Sequence, residues 1–415
     1  MHPFTVLFIA LVAAGLALRE WLLWRQIRAV RAGRERVPAP FATSITAEQH
    51  ARAADYTIAL ARAAMAQAVV SAAILLLVTV GGGIEALDTW IAGFGFSAVP
   101  HGVAVIAATA LALMACGLPF DVWNTFGIET RFGFNRTTPA LFAVDLLKGL
   151  AISAVLLLPL VAAMLWSMPA LGDRWWLWAW FGWALFSFLL SWAWPRLIAP
   201  LFNRFHELED GELRRAVETL ARRCGFEPRG VRVMDGSRRS THGNAYFTGL
   251  GRAKRIVFFD TLLQSLAPPE VQAVLAHELG HYRLKHVAWR IAWSLAAAFA
   301  GFAALAWLAG QPWFQSALGV THGGTHTLFL LFVLAAPVFL LPVGPLSAWL
   351  SRRHEFQADA YAARHADANA LADALVKLYR DNATTLTPDR LYAAFHASHP
   401  PALARIARLR PEGGQ

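Results

Sequence analysis

Residues 175–194 read Trp175-Trp176-Leu177-Trp178-Ala179-Trp180-Phe181-Gly182-Trp183-Ala184-Leu185-Phe186-Ser187-Phe188-Leu189-Leu190-Ser191-Trp192-Ala193-Trp194, an unbroken run without one charge. A helix of about 20 apolar residues crosses the hydrocarbon core of a bilayer. Trp175, Trp176, Trp178 and Trp194 sit near the ends of the run, where interfacial aromatics belong. Working outward, six further segments have the same character: residues 4–24, 63–80, 102–120, 150–166, 291–308 and 328–350. The whole chain agrees with them. Of its 415 residues 57% are hydrophobic and 15% charged, where a soluble domain carries about a quarter. Its mean hydropathy is +0.43. This composition excludes a disordered chain, a disulfide-stapled secreted scaffold and an ordinary cytosolic enzyme. A polytopic α-helical membrane protein with a soluble part remains.

The loops set an expected orientation through their positive charges. The stretch 25–62 carries Arg25, Arg28, Arg31, Arg34, Arg36, Arg52 and Arg62, whereas 84–101 holds only Glu85 and Asp88. Arg131, Arg136 and Lys148 lie in 121–149, one Arg in 167–174, no charge in 309–327, and Arg352 and Arg353 follow the last segment. The alternation predicts an outside N-terminus, a cytoplasmic C-terminus and a cytoplasmic insert between segments five and six. The first segment is read as a retained helix, because Met1-His2-Pro3-Phe4 lacks the basic start of a signal peptide. The net charge of +10 is then cytoplasmic loops facing anionic lipid, not a nucleic-acid surface. Cys116 lies in an apolar run and Cys224 in a polar one, so neither a disulfide nor a thiolate metal site is expected.

The expected organisation is five spans in 1–194, a cytoplasmic catalytic block in 195–290, spans six and seven in 291–350, and a second cytoplasmic block in 351–415. Leu213, Val217, Leu220, Ala221 and Cys224 recur with helical spacing, and Gly225 ends that helix. Residues 230–234, 244–249 and 255–259 read as short strands. Pro268-Pro269-Glu270 opens a helix predicted to run from Val271 to about His286. Leu371, Leu375 and Leu378 mark another helix, and 410–415 is expected to fray.

The helix after Pro268 contains His277-Glu278-Leu279-Gly280-His281, an HExxH, whose chance expectation in this composition is roughly 0.016 occurrences. Two histidines at i and i+4 share one helical face and can reach one Zn²⁺. Glu278 stands beside them, placed to take a proton from an attacking water. A metzincin would need Gly and His at the positions of Leu284 and Val287, so that subclass fails. His286 is expected off the metal face, as a surface or helix-end residue. A third ligand from a later helix is available in Ser351-Arg352-Arg353-His354-Glu355-Phe356-Gln357-Ala358-Asp359-Ala360. Glu355 and Asp359 are i,i+4, so one can ligate while the other holds a ligand histidine. His354 is a rival of suitable type, about 100° round the helix from Glu355.

Together these stretches resemble the CAAX prenyl protease 1 family of seven-span integral-membrane zinc metalloproteases. The HELGH run and Ser351–Ala362 carry the resemblance, with Asn244-Ala245-Tyr246-Phe247, Ser398-His399-Pro400-Pro401 with Arg405, and the run from Asn124 to Glu129 through Gly133-Phe134-Asn135. The resemblance implies a gluzincin-type site with one Zn²⁺ on His277, His281 and Glu355. Glu278 would be the catalytic base, and Asp359 would hold a ligand. Asn244, Ala245 and Tyr246 would lie on the edge strand that pairs with substrate, and His399 and Arg405 near the reacting carbonyl. It implies cleavage near the C-terminus of CAAX-type substrates, prenylated or not, or of other membrane-associated proteins. The Arg-rich composition and the lack of an endoplasmic-reticulum retrieval signal point to a bacterial inner membrane. Two other readings compete: an HtpX-type quality-control protease, which is shorter with fewer spans, and a catalytically dead scaffold or transporter.

Overall fold

The computed structural model describes residues 1–226, 230–248 and 255–410. Gly249, the expected end of a strand, and the expected frayed tail beyond Arg410 lie outside them.

Among the described residues six helices are long and apolar enough to cross a membrane: Pro3–Gly33, Ala47–Val78, Ala98–Glu129, Pro139–Ala170, Gly172–Phe202 and His286–Ala309. The seventh segment departs from the straight span expected at 328–350. It is a pair of helices, Thr325–Phe339 and Val343–His365, bent by 67°. The break falls at Leu340-Leu341-Pro342, where Pro342 has no N–H to continue the helix and Gly344-Pro345 follow. After the bend the second helix carries Glu355 away from the bundle into the polar part of the molecule.

The first spans also run beyond their apolar cores. Pro3–Gly33 and Ala47–Val78 have 31 and 32 residues, about 47 Å at 1.5 Å per residue, against a hydrocarbon core of about 30 Å. Thr46 starts the second with a reciprocal cap: its Oγ1 accepts from the Gln49 amide (3.2 Å) while Gln49 Oε1 accepts from the Thr46 amide (3.0 Å). The connection between these two helices is part of the soluble core, since Phe41 and Ile45 are buried against it.

That core lies between a small sheet and four helices. The sheet has β1 (Phe205–Glu207), β2 (Val231–Met234), β3 (Ala245–Thr248) and β4 (Arg255–Phe259) in the order β1-β2-β4-β3. β2 and β4 are parallel and both outer pairs antiparallel. β1 was not expected; its three residues are too few to show a period. Val217 and Leu220 from Glu212–Arg223, Val231, Val233, Ile256 and Phe258 from the sheet, Leu275 and Leu279 from Pro268–Arg283, Leu371 and Leu375 from Ala368–Asp381, and Ile406 from Ala402–Leu409 bury together.

Polar contacts fix this unit to the membrane helices. Arg239 forms a bidentate pair with Asp145 at 2.8 and 3.0 Å. The π-helical turn Trp123–Glu129 presents Glu129 to Tyr56 and to His242, 3.5 Å away, and Asn135 bridges to Ser240.

Candidate active site

The helix that carries HExxH spans Pro268–Arg283. Pro268 occupies its first turn, where a missing N–H is harmless. Glu270 accepts from the Ala267 amide at 2.6 Å and pairs with Lys377 at 2.8 Å. The helix does not continue to His286 as its sequence suggested. It stops at Leu284, and Lys285 takes a left-handed conformation (φ 60°), so His286 begins the next span in a new direction.

The break changes what His286 does. On a straight helix the fifth residue after His281 points away from it, hence the expected surface position. Instead His286 is buried, with Nδ1 3.0 Å from Nδ1 of His281 and Nε2 3.0 Å from Oε1 of Gln357. The Gln357 carbonyl accepts from His286 Nε2–H, so His286 Nδ1 accepts from His281 Nδ1–H. Nε2 of His281 is left as a bare lone pair. His277 is treated alike: its Nδ1 lies 2.9 Å from Oδ1 of Asp359, off the line of an ideal hydrogen bond, and its Nε2 is turned to His281.

The two Nε2 atoms are 3.2 Å apart. Glu355 reaches them from the bent seventh segment, with Oε1 3.2 Å from His281 Nε2 and Oε2 3.5 Å from His277 Nε2. One ligand atom from each of His277, His281 and Glu355 therefore lies within 4.8 Å of the others. His354, the rival, is instead stacked on His286 with centroids 4.0 Å apart.

This donor set fits a divalent cation. The two imidazole Nε2 atoms converge, and Glu355 Oε2 is buried without a hydrogen-bond partner. The electrostatics point the same way. Burial alone would lower the His277 pKa, but Asp359 and Glu355 outweigh it and raise it to about 9. Buried carboxylates here demand a positive charge, which an ion supplies while leaving the histidines neutral. Burial pushes the neighbouring Glu278 carboxyl above its ordinary range, partly offset by His277 and His281.

Asp359 is held in turn. Arg405, 5% exposed, grips both its oxygens, Nε to Oδ2 at 2.8 Å and Nη2 to Oδ1 at 2.6 Å, and lies 3.8 Å from Glu355. Sequence reasoning put Arg405 near the reacting carbonyl; in the structure its guanidinium pairs with Asp359, because a buried carboxylate needs a paired charge. Removing one partner of such a pair costs about 3–5 kcal/mol. His399 is the accessible member of the C-terminal motif, 65% exposed with Nε2 3.5 Å from Glu355 Oε2.

The remaining site residues of the sequence reading are on or beside β3. β3 is the last strand of the sheet and packs on the HExxH helix. Asn244 precedes it; its carbonyl accepts from the Phe259 amide at 3.0 Å and its side chain from the Ala245 amide at 2.8 Å. Tyr246 Oη approaches Met234 Sδ at 3.9 Å. His286 and Gln357 are what sequence reasoning missed. No local signal marks either, because they meet across a helix break and 71 residues.

Known proteins match this architecture along most of its length. Residues 26–204 match the family model for the CAAX prenyl protease N-terminal region, five membrane helices, and residues 207–412 match Peptidase family M48. A CAAX prenyl protease 1 homolog of Arabidopsis thaliana is 35% identical over 317 residues, covering 75% of this chain and 74% of that one. The chain belongs to the CAAX prenyl protease 1 family. A Homo sapiens relative with the same description is 33% identical over 362 residues, covering 77% and 76%. The crystal structure of S. mikatae Ste24p superposes with a TM-score of 0.90 at 28% identity, covering 99% of both chains. As a CAAX prenyl protease 1 family member the protein is a multi-pass membrane metalloendopeptidase. Both family models and the relatives' shared description favour this reading over the HtpX-type and scaffold readings.

Proposed function

We propose that this protein is a zinc endopeptidase that cleaves near the C-terminus of CAAX-type or other membrane-associated proteins, lipidated substrates included. The observation that carries the reading is the convergence of His277 Nε2, His281 Nε2 and Glu355 while both Nδ1 atoms are turned to other groups. His277, His281 and Glu355 would hold the ion. Bound zinc would supply a water of pKa near 7 and polarise the scissile carbonyl. Glu278 accepts the proton of the attacking water and returns it to the leaving amine, a task suited to a carboxylate whose pKa is raised. Asp359 orients His277, and Arg405 is a positioning residue that fixes Asp359. His399, exposed beside Glu355, donates to the developing oxyanion. An extended peptide adds to the open edge of β3 beside Asn244, Ala245 and Tyr246 by main-chain pairing.

The alternation of basic loops supports an N-terminus outside and a cytoplasmic catalytic part in contact with anionic lipid, and the Arg-rich composition supports a bacterial inner membrane. The substrate class comes from the relatives' names, and the position of β3 at the end of the sheet is compatible with it. The deciding experiment is metal analysis of purified protein together with cleavage of one CAAX peptide in farnesylated and unprenylated form. Zinc at the HExxH site with cleavage of either form is expected. Zinc-loaded protein that cleaves neither peptide, but cleaves unrelated membrane-protein segments, would move the substrate class to quality control.

A further inference from the structure

A second group of metal-ligating side chains lies at the other end of the bundle. Asp88 is on the helix Gly83–Ala92, His101 in the first turn of Ala98–Val122 and His326 in the first turn of Thr325–Phe339. His326 opens the bent seventh segment whose far arm carries Glu355, so nearly the length of that segment separates the two groups. Nε2 of His101 lies 2.6 Å and Nε2 of His326 2.8 Å from the same oxygen, Oδ1 of Asp88. The two rings meet edge to face with centroids 5.1 Å apart. One ligand atom from each residue lies within 4.8 Å of the others, and all three side chains are at most 14% exposed.

We propose that Asp88, His101 and His326 form a second metal site, which takes a divalent ion of the zinc class and pins three helices together. Two imidazoles and a carboxylate are donors that such ions favour. Both Nε2 atoms lie against the same oxygen of Asp88, so three ligand atoms from three helices are gathered within reach of one ion. The two segments that supply most of the cluster carry no competing cation. Segments 84–101 and 309–327 contain no Lys or Arg, and their only carboxylates are Glu85 and Asp88.

The neighbourhood holds these groups in place. Gly102, next to His101, lets two helices close: a Cβ there would lie 2.7 Å from Cβ of His326 and 2.8 Å from Leu165. Thr327 Oγ1 caps the helix of His326 by accepting from the Gly324 amide at 2.8 Å, and donates to Gln315 Oε1 at 2.6 Å. Glu85, one turn before Asp88, binds Thr321 through its amide at 3.2 Å and its hydroxyl, fixing the loop that leads to His326. None of these residues belongs to the protease site, so the ion is structural and its loss leaves the chemistry in place.

The test counts zinc in full-length protein stripped by chelator, reloaded at micromolar free zinc and dialysed. Two ions per chain are expected, against the single ion suggested by the HExxH motif. His281→Ala should retain one, and His101→Gln/His326→Gln should retain one while still cleaving peptide. Combining the three changes should leave none. The unmutated protein and its His101→Gln/His326→Gln form should also differ in melting temperature only when zinc is present. Zero ions in His281→Ala would overturn the second site whatever the other variants do, and so would two in His101→Gln/His326→Gln. If His281→Ala instead binds as much zinc as the unmutated protein, the catalytic assignment fails and the second site stands on the His101/His326 result.

Discussion

Gly280 rests on Ala358: a Cβ at residue 280 would lie 3.1 Å from Cα and 3.2 Å from the carbonyl oxygen of Ala358, and 3.1 Å from Cβ of Tyr361. The HExxH helix and the helix of Glu355 therefore touch backbone to backbone, one residue from His281 on one side and three residues from Glu355 on the other. The contact is what brings the third ligand to the two histidines. Gly280→Val should push the helices apart. Overpacking of this kind costs typically 1–3 kcal/mol, and a displacement near 1 Å can cost 10²-fold in rate. Cleavage should fall by about that factor and zinc content should drop, read by metal analysis and peptide cleavage on one preparation. Gly280→Val with normal zinc and activity would show that the contact is not what sets the ligand geometry.

His281→Ala should hold one fewer zinc per chain than the unmutated protein. Its Nδ1 is engaged by His286, so the lost group is an oriented lone pair. Metal analysis after identical reloading is the check, and equal zinc in both proteins would reject the ligand.

Glu355→Ala should likewise lose the ion, whereas His354→Ala should keep it, since His354 stacks on His286 and stands off the cluster. The same metal analysis separates them. Loss in His354→Ala with retention in Glu355→Ala would move the third ligand by one residue and exclude the thermolysin-like arrangement.

Glu278→Gln keeps shape and polarity and removes the base. Zinc content and peptide binding should persist while hydrolysis falls by at least about 10²-fold, the usual contribution of a general base. Near-normal cleavage by a zinc-loaded Gln variant would assign proton transfer elsewhere.

Reporter fusions after residues 90 and 318 should report outside, and fusions at residue 235 and at the C-terminus inside. An outside signal from residue 235 would reverse the orientation and put the protease on the other face of the membrane.

What was legible in the sequence was whatever depends on local order. The uncharged run from Trp175 to Trp194 and its six companions declare membrane helices, because burial in lipid needs only about 20 consecutive apolar residues. HExxH declares a metal site, because i,i+4 spacing on a helix puts both imidazoles on one face. The acidic pair Glu355 and Asp359 could be named as partners, since they too are one turn apart. The extent of the spans was less legible. Their helices continue into polar sequence, and hydropathy ends before the hydrogen bonding does.

Only the tertiary structure decided which groups surround those motifs. The 67° bend at Leu340-Leu341-Pro342 aims Glu355 at the histidines, and the left-handed Lys285 turns His286 back onto His281. Arg405 pairs with Asp359 for the same reason: 46 residues separate the pair, and a buried carboxylate takes the cation that folding brings to it. Asp88, His101 and His326 carry no motif at all; they meet because Gly102 and the bent segment let three helix ends close. Local spacing encodes one helix face at a time, whereas the convergence of donors from separate helices is a property of packing, which no window of sequence contains.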